Sequence, residues 1–270
     1  MSGTNKKTKK IAKNKKTTKK KRVNKTKVII LICFLGIFVL GAGNLALGVN
    51  QVMKNKENKE IIKEEEKIKE KQFELEIENE DKIGKKYTIL VDPGHGGYEK
   101  GTQNKSRTIY EKDIALAIGK KVAMKLSKQS DVQVIISRTE DKYVSLADRS
   151  QMANTQNVDA LVSIHVNAEG GGESAYGLET YYRKGATDGS DKLAKIVQDT
   201  IGSYVAIRDR GIREDIYQVL KESRMPAVLV ECGFITNKKE SEKLLDEIYQ
   251  SKLADGIAQG VLSFLDEQSK

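Results

Sequence analysis

The sequence predicts a single α/β domain, a mostly parallel twisted sheet covered by helices, set behind an N-terminal transmembrane helix. Three observations predict it. Residues 83–270 alternate short β-rich apolar runs with longer helical patterns, the alternation that lays helices on a parallel sheet. Several of those runs are continuously apolar, as strands covered on both faces are. One uncharged stretch, Val28 to Val49, stands near the N-terminus and matches the roughly 20 residues that span a bilayer.

Taken in order, residues 1–27 hold thirteen Lys or Arg and no acid, too charged and too poor in apolar side chains to fold alone. They read as a disordered basic cytoplasmic tail. Residues 28–49 follow as the span, with Asn44 their one strongly polar residue. Basic charge before the span and acidic excess after it predict a single-pass protein of the cell membrane with everything beyond residue 50 outside the cytoplasm. Cleavage near Ala46-Leu47-Gly48 is the rival reading, although the run exceeds the roughly 7–15 apolar residues of a signal peptide. Residues 50–82 read as a charged helical stalk, in which Glu60/Lys63, Glu64/Lys67 and Glu66/Lys69 are i,i+3 pairs. Ile61, Ile68 and Leu75 are spaced seven apart, but charges at the intervening positions break the heptad. A solvated spacer and a monomeric chain are therefore expected.

The net charge of +10 would suggest a polyanion binder if it were spread over the fold. It is not: residues 83–270 carry 27 basic and 27 acidic side chains. No nucleic-acid partner is expected, and the basic tail reads as a topology determinant touching anionic lipid.

Within residues 83–270, strands are expected at Tyr87–Val91, Val132–Ser137, Ala160–Val166, Leu178–Tyr182 and Ala227–Val230. The fourfold-spaced stripes Ile114, Ile118, Val122, Leu126 and Leu253, Ile257, Val261, Leu265 predict two amphipathic helices, the first beginning at Glu111. Cys33 falls in the span and Cys232 in an apolar strand, so no intramolecular disulfide is expected and Cys232 reads as a small buried thiol.

The chain has only two histidines, and each ends an apolar run: His95 in Val91-Asp92-Pro93-Gly94-His95-Gly96-Gly97, and His165 in Ser163-Ile164-His165-Val166-Asn167. Glu231 closes Val228–Val230 in the same way, and ligands gather at the carboxyl ends of strands in open α/β sheets. Glu111, at a helix start, could project toward the same crevice. Two imidazoles and a carboxylate are the donors a catalytic zinc uses while leaving one position open. An unligated carboxylate nearby can accept a proton from water, a role that suits Glu231.

These segments, in this order, are similar to those of the zinc-dependent N-acetylmuramoyl-L-alanine amidases, a family of cell-wall hydrolases. The resemblance covers residues 86–267 and runs further through Tyr110-Glu111-Lys112-Asp113, Ser137-Arg138-Thr139-Glu140-Asp141, Arg149 with Ala153-Asn154, Gly177-Leu178-Glu179-Thr180-Tyr181-Tyr182, Arg210-Gly211-Ile212 and Glu231-Cys232-Gly233-Phe234. It implies one Zn2+ held by His95, Glu111 and His165, with Glu231 the catalytic carboxylate, and peptidoglycan as the substrate, cut between N-acetylmuramic acid and L-alanine. Asn167 or an arginine would assist at the oxyanion, and Asp92 would orient a ligating imidazole or simply end its strand. The compact anchored layout resembles sporulation amidases, without separating that role from vegetative turnover or identifying an activating protein. Two other readings remain: a non-catalytic peptidoglycan-binding scaffold, and a zinc peptidase acting elsewhere on the stem peptide. The loop Glu169–Tyr176 is too short for an occluding helix, so an open cleft is expected.

Overall fold

Ile89, Leu90 and Val91 are each fully buried, because strand β1 (Tyr87–Pro93) lies inside a sheet with helices on both faces. The computed structural model describes residues 59–60, 62–74 and 86–269. The expected tail and span lie outside the described residues. Among those described, no helix is long and apolar enough to cross a membrane.

Six strands, β1, β2 (Val132–Ile136), β3 (Ala160–Asn167), β4 (Leu178–Arg183), β5 (Asp209–Asp215) and β6 (Ala227–Phe234), form one sheet in the order β2-β1-β3-β6-β4-β5. Every pairing is parallel except β4 with β6, so the sheet is mixed, with parallel pairs in the majority. Strand β5 was not anticipated from sequence. Asp-Arg-Gly-Ile-Arg-Glu-Asp has no apolar run to announce it, and a charged strand is what a sheet edge favours.

Alternation across the sheet divides the helices. Ile89, Val91, Val162, Ile164, Val228 and Val230 face one way and pack on α1 (Glu111–Ser127), α3 (Ser190–Tyr204) and α6 (Glu247–Gln268). Both expected stripes are buried there, Ile114 to Leu126 on α1 and Leu253 to Leu265 on α6, and each such side chain contributes roughly 1.5–3 kcal/mol on burial. Helices α3 and α6 approach closely because Gly256 and Gly260 carry no side chain: a Cβ would lie 2.7 Å from Ile201 Cα and 2.8 Å from Val197 Cα.

The opposite face is covered differently. Leu90, Leu161, Ala227 and Leu229 pack under the shorter helices α2 (Leu146–Thr155) and α4 (Gln218–Glu222). Further along the same strands that face carries Asp92, Ser163, His165, Asn167 and Glu231. Two short helices cover the apolar half of this face, and at the polar ends of the strands His165 and Asn167 are partly exposed. Helix α5 (Lys238–Leu244) follows β6.

Residues 62–74 are helical, and those from Glu66 onward belong to the same compact unit as the sheet. Sequence suggested a solvated stalk, but Phe73 is buried against the core, Lys120 Nζ lies 4.6 Å from its ring centroid, and Lys120 also pairs with Glu70 at 2.8 Å. One aromatic among acids and lysines is enough to dock the last turns.

Candidate metal centre

The loop after β1 turns sharply to bring His95 back over the sheet. His95 has φ 60°, a left-handed conformation that non-glycine residues adopt at a cost of about 1–3 kcal/mol, and glycines with positive φ follow it at 96 and 97. Two buried guanidiniums hold this turn by its carbonyls. Arg138 donates to Pro93 O at 3.0 Å and Gly94 O at 2.8 Å, and Arg149 donates to Pro93 O and His95 O, each at 2.7 Å.

Arg149 also donates to Asp92 Oδ1 at 2.5 Å, and the hydroxyls of Ser137 and Ser163 donate to the same carboxylate. Burial opposes ionisation of Asp92, but Arg149 and the two hydroxyls outweigh it and hold the carboxyl below its usual range. Asp92 thus anchors the clamp rather than an imidazole. The carboxylate at His95 Nδ1 is instead Glu99, 3.1 Å away.

Glu111 opens α1 behind Tyr110, which gives no side-chain cap. Its carboxylate turns inward, accepting from Thr102 N at 2.7 Å, Thr102 Oγ1 at 2.9 Å and Val166 N at 3.0 Å. The same oxygens face both imidazoles: His95 Nε2 lies 3.2 Å from Oε2, and His165 Nδ1 lies 2.8 Å from Oε1. Burial would raise its pKa, yet the hydrogen bonds and charge of His165 and His95 keep it well below the ordinary value. One ligand atom from each of His95, Glu111 and His165 lies within 4.8 Å of the others. Two atoms bound about 2.0–2.1 Å from one tetrahedral ion stand about 3.3–3.4 Å apart; the 3.2 and 2.8 Å contacts of Glu111 with the imidazoles come near that value, and the N, N, O donor set is one that zinc takes.

Glu231 pairs across the strands with His165. It is 8% exposed, and its Oε2 is buried without a hydrogen-bond partner. Burial first, then the negative charges of Glu111 and Glu179, push its carboxyl well above the usual range. Perturbation of this kind marks functional carboxyls.

Residues 89–263 match the N-acetylmuramoyl-L-alanine amidase family pattern. The chain belongs to that family. A crystal structure of N-acetylmuramoyl-L-alanine amidase from Clostridium difficile 630 shares 58% identity and superposes with a TM-score of 0.67, covering 67% of this chain and 98% of that one. The amidase LytC of Bacillus subtilis is 36% identical over 178 residues, 66% of this chain but only 35% of LytC. A sporulation-specific N-acetylmuramoyl-L-alanine amidase of the same organism is 34% identical over 174 residues, 64% of this chain and 66% of the relative. The activity is therefore hydrolysis of the amide joining N-acetylmuramic acid to L-alanine in peptidoglycan.

All four expected site residues of the amidase lie in one region. Asn167, weighed as an oxyanion donor, is committed elsewhere: its Nδ2 donates to Glu179 Oε2 at 2.9 Å and its Oδ1 accepts from Ala168 N at 2.7 Å. Cys232 is fully buried on the far face, and burial pushes its thiol far up. The loop after β3 contains no helix. Glu169 pins it through the backbone N–H groups of Ser174 and Ala175. Glu99 and Thr102 were not singled out in the sequence, and Arg138 and Arg149 stood out there only as parts of the matching segments, without their role as a clamp; the acid four residues after His95 was the one usable sign for Glu99.

Proposed function

We infer that His95, Glu111 and His165 hold one zinc ion and that Glu231 moves the protons of muramoyl–L-alanine hydrolysis. The observation that carries this is Glu231 itself, a buried carboxyl with a partnerless oxygen beside the His–Glu–His group. Zinc, when bound, supplies charge to polarise the scissile carbonyl and to stabilise developing negative charge on its oxygen. Glu99 orients the His95 imidazole through Nδ1, and the Arg138–Arg149 clamp holds the strained turn beneath it. Glu231 accepts a proton from the attacking water and delivers it to the alanine nitrogen as the C–N bond breaks, leaving a muramic carboxylate and a free amine. Burial raises its pKa above the ordinary carboxyl value, the direction that helps a carboxyl hand a proton on after taking it.

The predicted span Val28–Val49 supports a membrane-held enzyme with its active site outside the cytoplasm, where peptidoglycan lies. Likeness to a sporulation-specific amidase supports a place in spore-wall remodelling. The test is mass spectrometry of peptidoglycan treated with the purified 270-residue chain and with Glu231→Gln, together with metal analysis of both. Zinc in both, with stem peptides beginning in free L-alanine released by the parent alone, is expected. Release elsewhere on the stem peptide would establish a peptidase, and binding without release a scaffold; either overturns the reading.

A further inference from the structure

Past Glu231, β4 and β5 carry a second polar cluster, which takes no direct part in the proposed proton transfers. Glu179 is 2% exposed and stands opposite Glu231 in the β4–β6 pairing. Its carboxylate accepts from Arg210 Nε at 2.6 Å, Tyr181 Oη at 2.9 Å and Asn167 Nδ2 at 2.9 Å. Arg213, which pairs with Tyr181 from the edge strand, brings its Nε within 3.2 Å of the same oxygen that Arg210 holds. Two guanidiniums thus share one carboxylate.

The two are not equivalent. The Arg210 side chain is 23% exposed, stacks 4.8 Å over the Phe234 ring and makes the shorter bond, which suffices to neutralise Glu179. The Arg213 side chain is 48% exposed and pairs with no other acid among the described residues. Neither of its Nη groups has a protein acceptor there. Tyr181 and Tyr217, edge to face at 5.3 Å, provide apolar surface beside it. One positive charge and the Nη donors are left partly exposed to solvent, the chemistry that takes a carboxylate.

The direction of the substrate follows from the proposed function, on which this inference rests. The leaving nitrogen must lie at Glu231, so the peptide leaves the scissile bond on the β6 side, over β4 and β5. Strands two apart are separated by about 10 Å, and an extended peptide advances about 3.3–3.6 Å per residue. Arg213 therefore stands within reach of the first residues beyond alanine. We propose that Arg213 binds a free carboxylate of the stem peptide on the leaving-group side, and that the amidase thereby discriminates between carboxylate and carboxamide forms of its substrate.

The test uses muramoyl tripeptides whose second and third residues carry free carboxylates, with analogues amidated at the second, the third or both. Turnover is measured with the parent, Arg213→Gln and Arg213→Lys chains, and binding with the same chains carrying Glu231→Gln. Amidation at the recognised position is expected to raise KM of the parent about ten- to hundredfold, the worth of a charge-assisted contact, with kcat little changed. Arg213→Gln should raise KM for the free carboxylate alike and abolish the preference, and Arg213→Lys should restore part of it. The arm that responds identifies which residue supplies the carboxylate. Equal handling of all analogues by the parent, or a preference that survives in Arg213→Gln, would overturn the proposal. Failure to release alanine amines from any analogue would count against the hydrolytic reading, while the binding series would still decide the role of Arg213.

Discussion

Replacing Gly94 by alanine tests whether backbone alone holds His165 in place. A Cβ at position 94 would stand 2.3 Å from His165 Cε1, 2.4 Å from Nε2 and 2.8 Å from Nδ1. Ordinary contact begins near 3.5 Å, so the ring must retreat by about 1 Å. Zinc–nitrogen bonds are about 2.0–2.1 Å and tolerate deviations of about 0.2 Å, several times less than that displacement. Gly94 has no left-handed φ, so the substitution acts through the collision and not through backbone strain. We expect metal affinity to fall at least about 100-fold, comparable to the larger losses from mutating groups that support a ligand, and kcat/KM to fall with it, a change of about 2.7 kcal/mol at 1.36 kcal/mol per decade. Competition with a chromophoric chelator measures the affinity, and release of alanine amines measures the rate. Circular dichroism of the metal-free chain checks that it still folds. A folded Gly94→Ala variant binding zinc within about threefold of the parent would refute the claim that His165 ligates from this position.

Other outcomes follow from the same packing. Arg149→Met leaves the buried Asp92 carboxylate without its partner and should cost about 3–5 kcal/mol in urea unfolding, with weakened metal binding because the His95 carbonyl loses its donor; a cost below 1 kcal/mol would contradict the clamp. In the metal-free chain, Glu231 keeps its proton above the ordinary value of 4.5 while the unfolded chain loses it. The native state then binds more protons, so this group's contribution to stability falls as pH rises above about 4.5. Glu231→Gln should therefore gain on the parent as pH increases, and parallel stability–pH profiles would exclude the shift. Cys232, buried and with its thiol pushed up, should resist a thiol reagent in the native chain and react after unfolding.

Much of the fold was legible because it depends on periodicity. Runs such as Ile89-Leu90-Val91 and stripes such as Ile114 to Leu126 state directly which side chains avoid water. The proposed ligand pair stood out for a different reason, since the chain has only two histidines in 270 residues and each follows or ends an apolar strand. What escaped depends on pairings distant in sequence. Strand β5 is held by its neighbour rather than by its own apolar character. Asp92 belongs to Arg149, 57 residues away, and Asn167 belongs to Glu179; neither match is written in local spacing. Phe73 looked like one apolar residue among many charges, and its burial depends on the surface that α1 offers it.

The strand order also governs when the active site can exist. Strands β1 and β2, joined by α1, and β4 and β5, joined by α3, are each pairs of sequence neighbours. The two pairs are bridged only by β3 and β6, with Leu161 beside Ala227 and Thr180 beside Val230. Such non-local pairing forms late and slowly. Glu231 arrives on the last strand to be synthesised, and its insertion completes the sheet and the proposed proton-transfer site together. A chain interrupted before residue 227 carries His95, Glu111 and His165 but lacks the proposed general base, so a truncated polypeptide is expected to show no amidase activity.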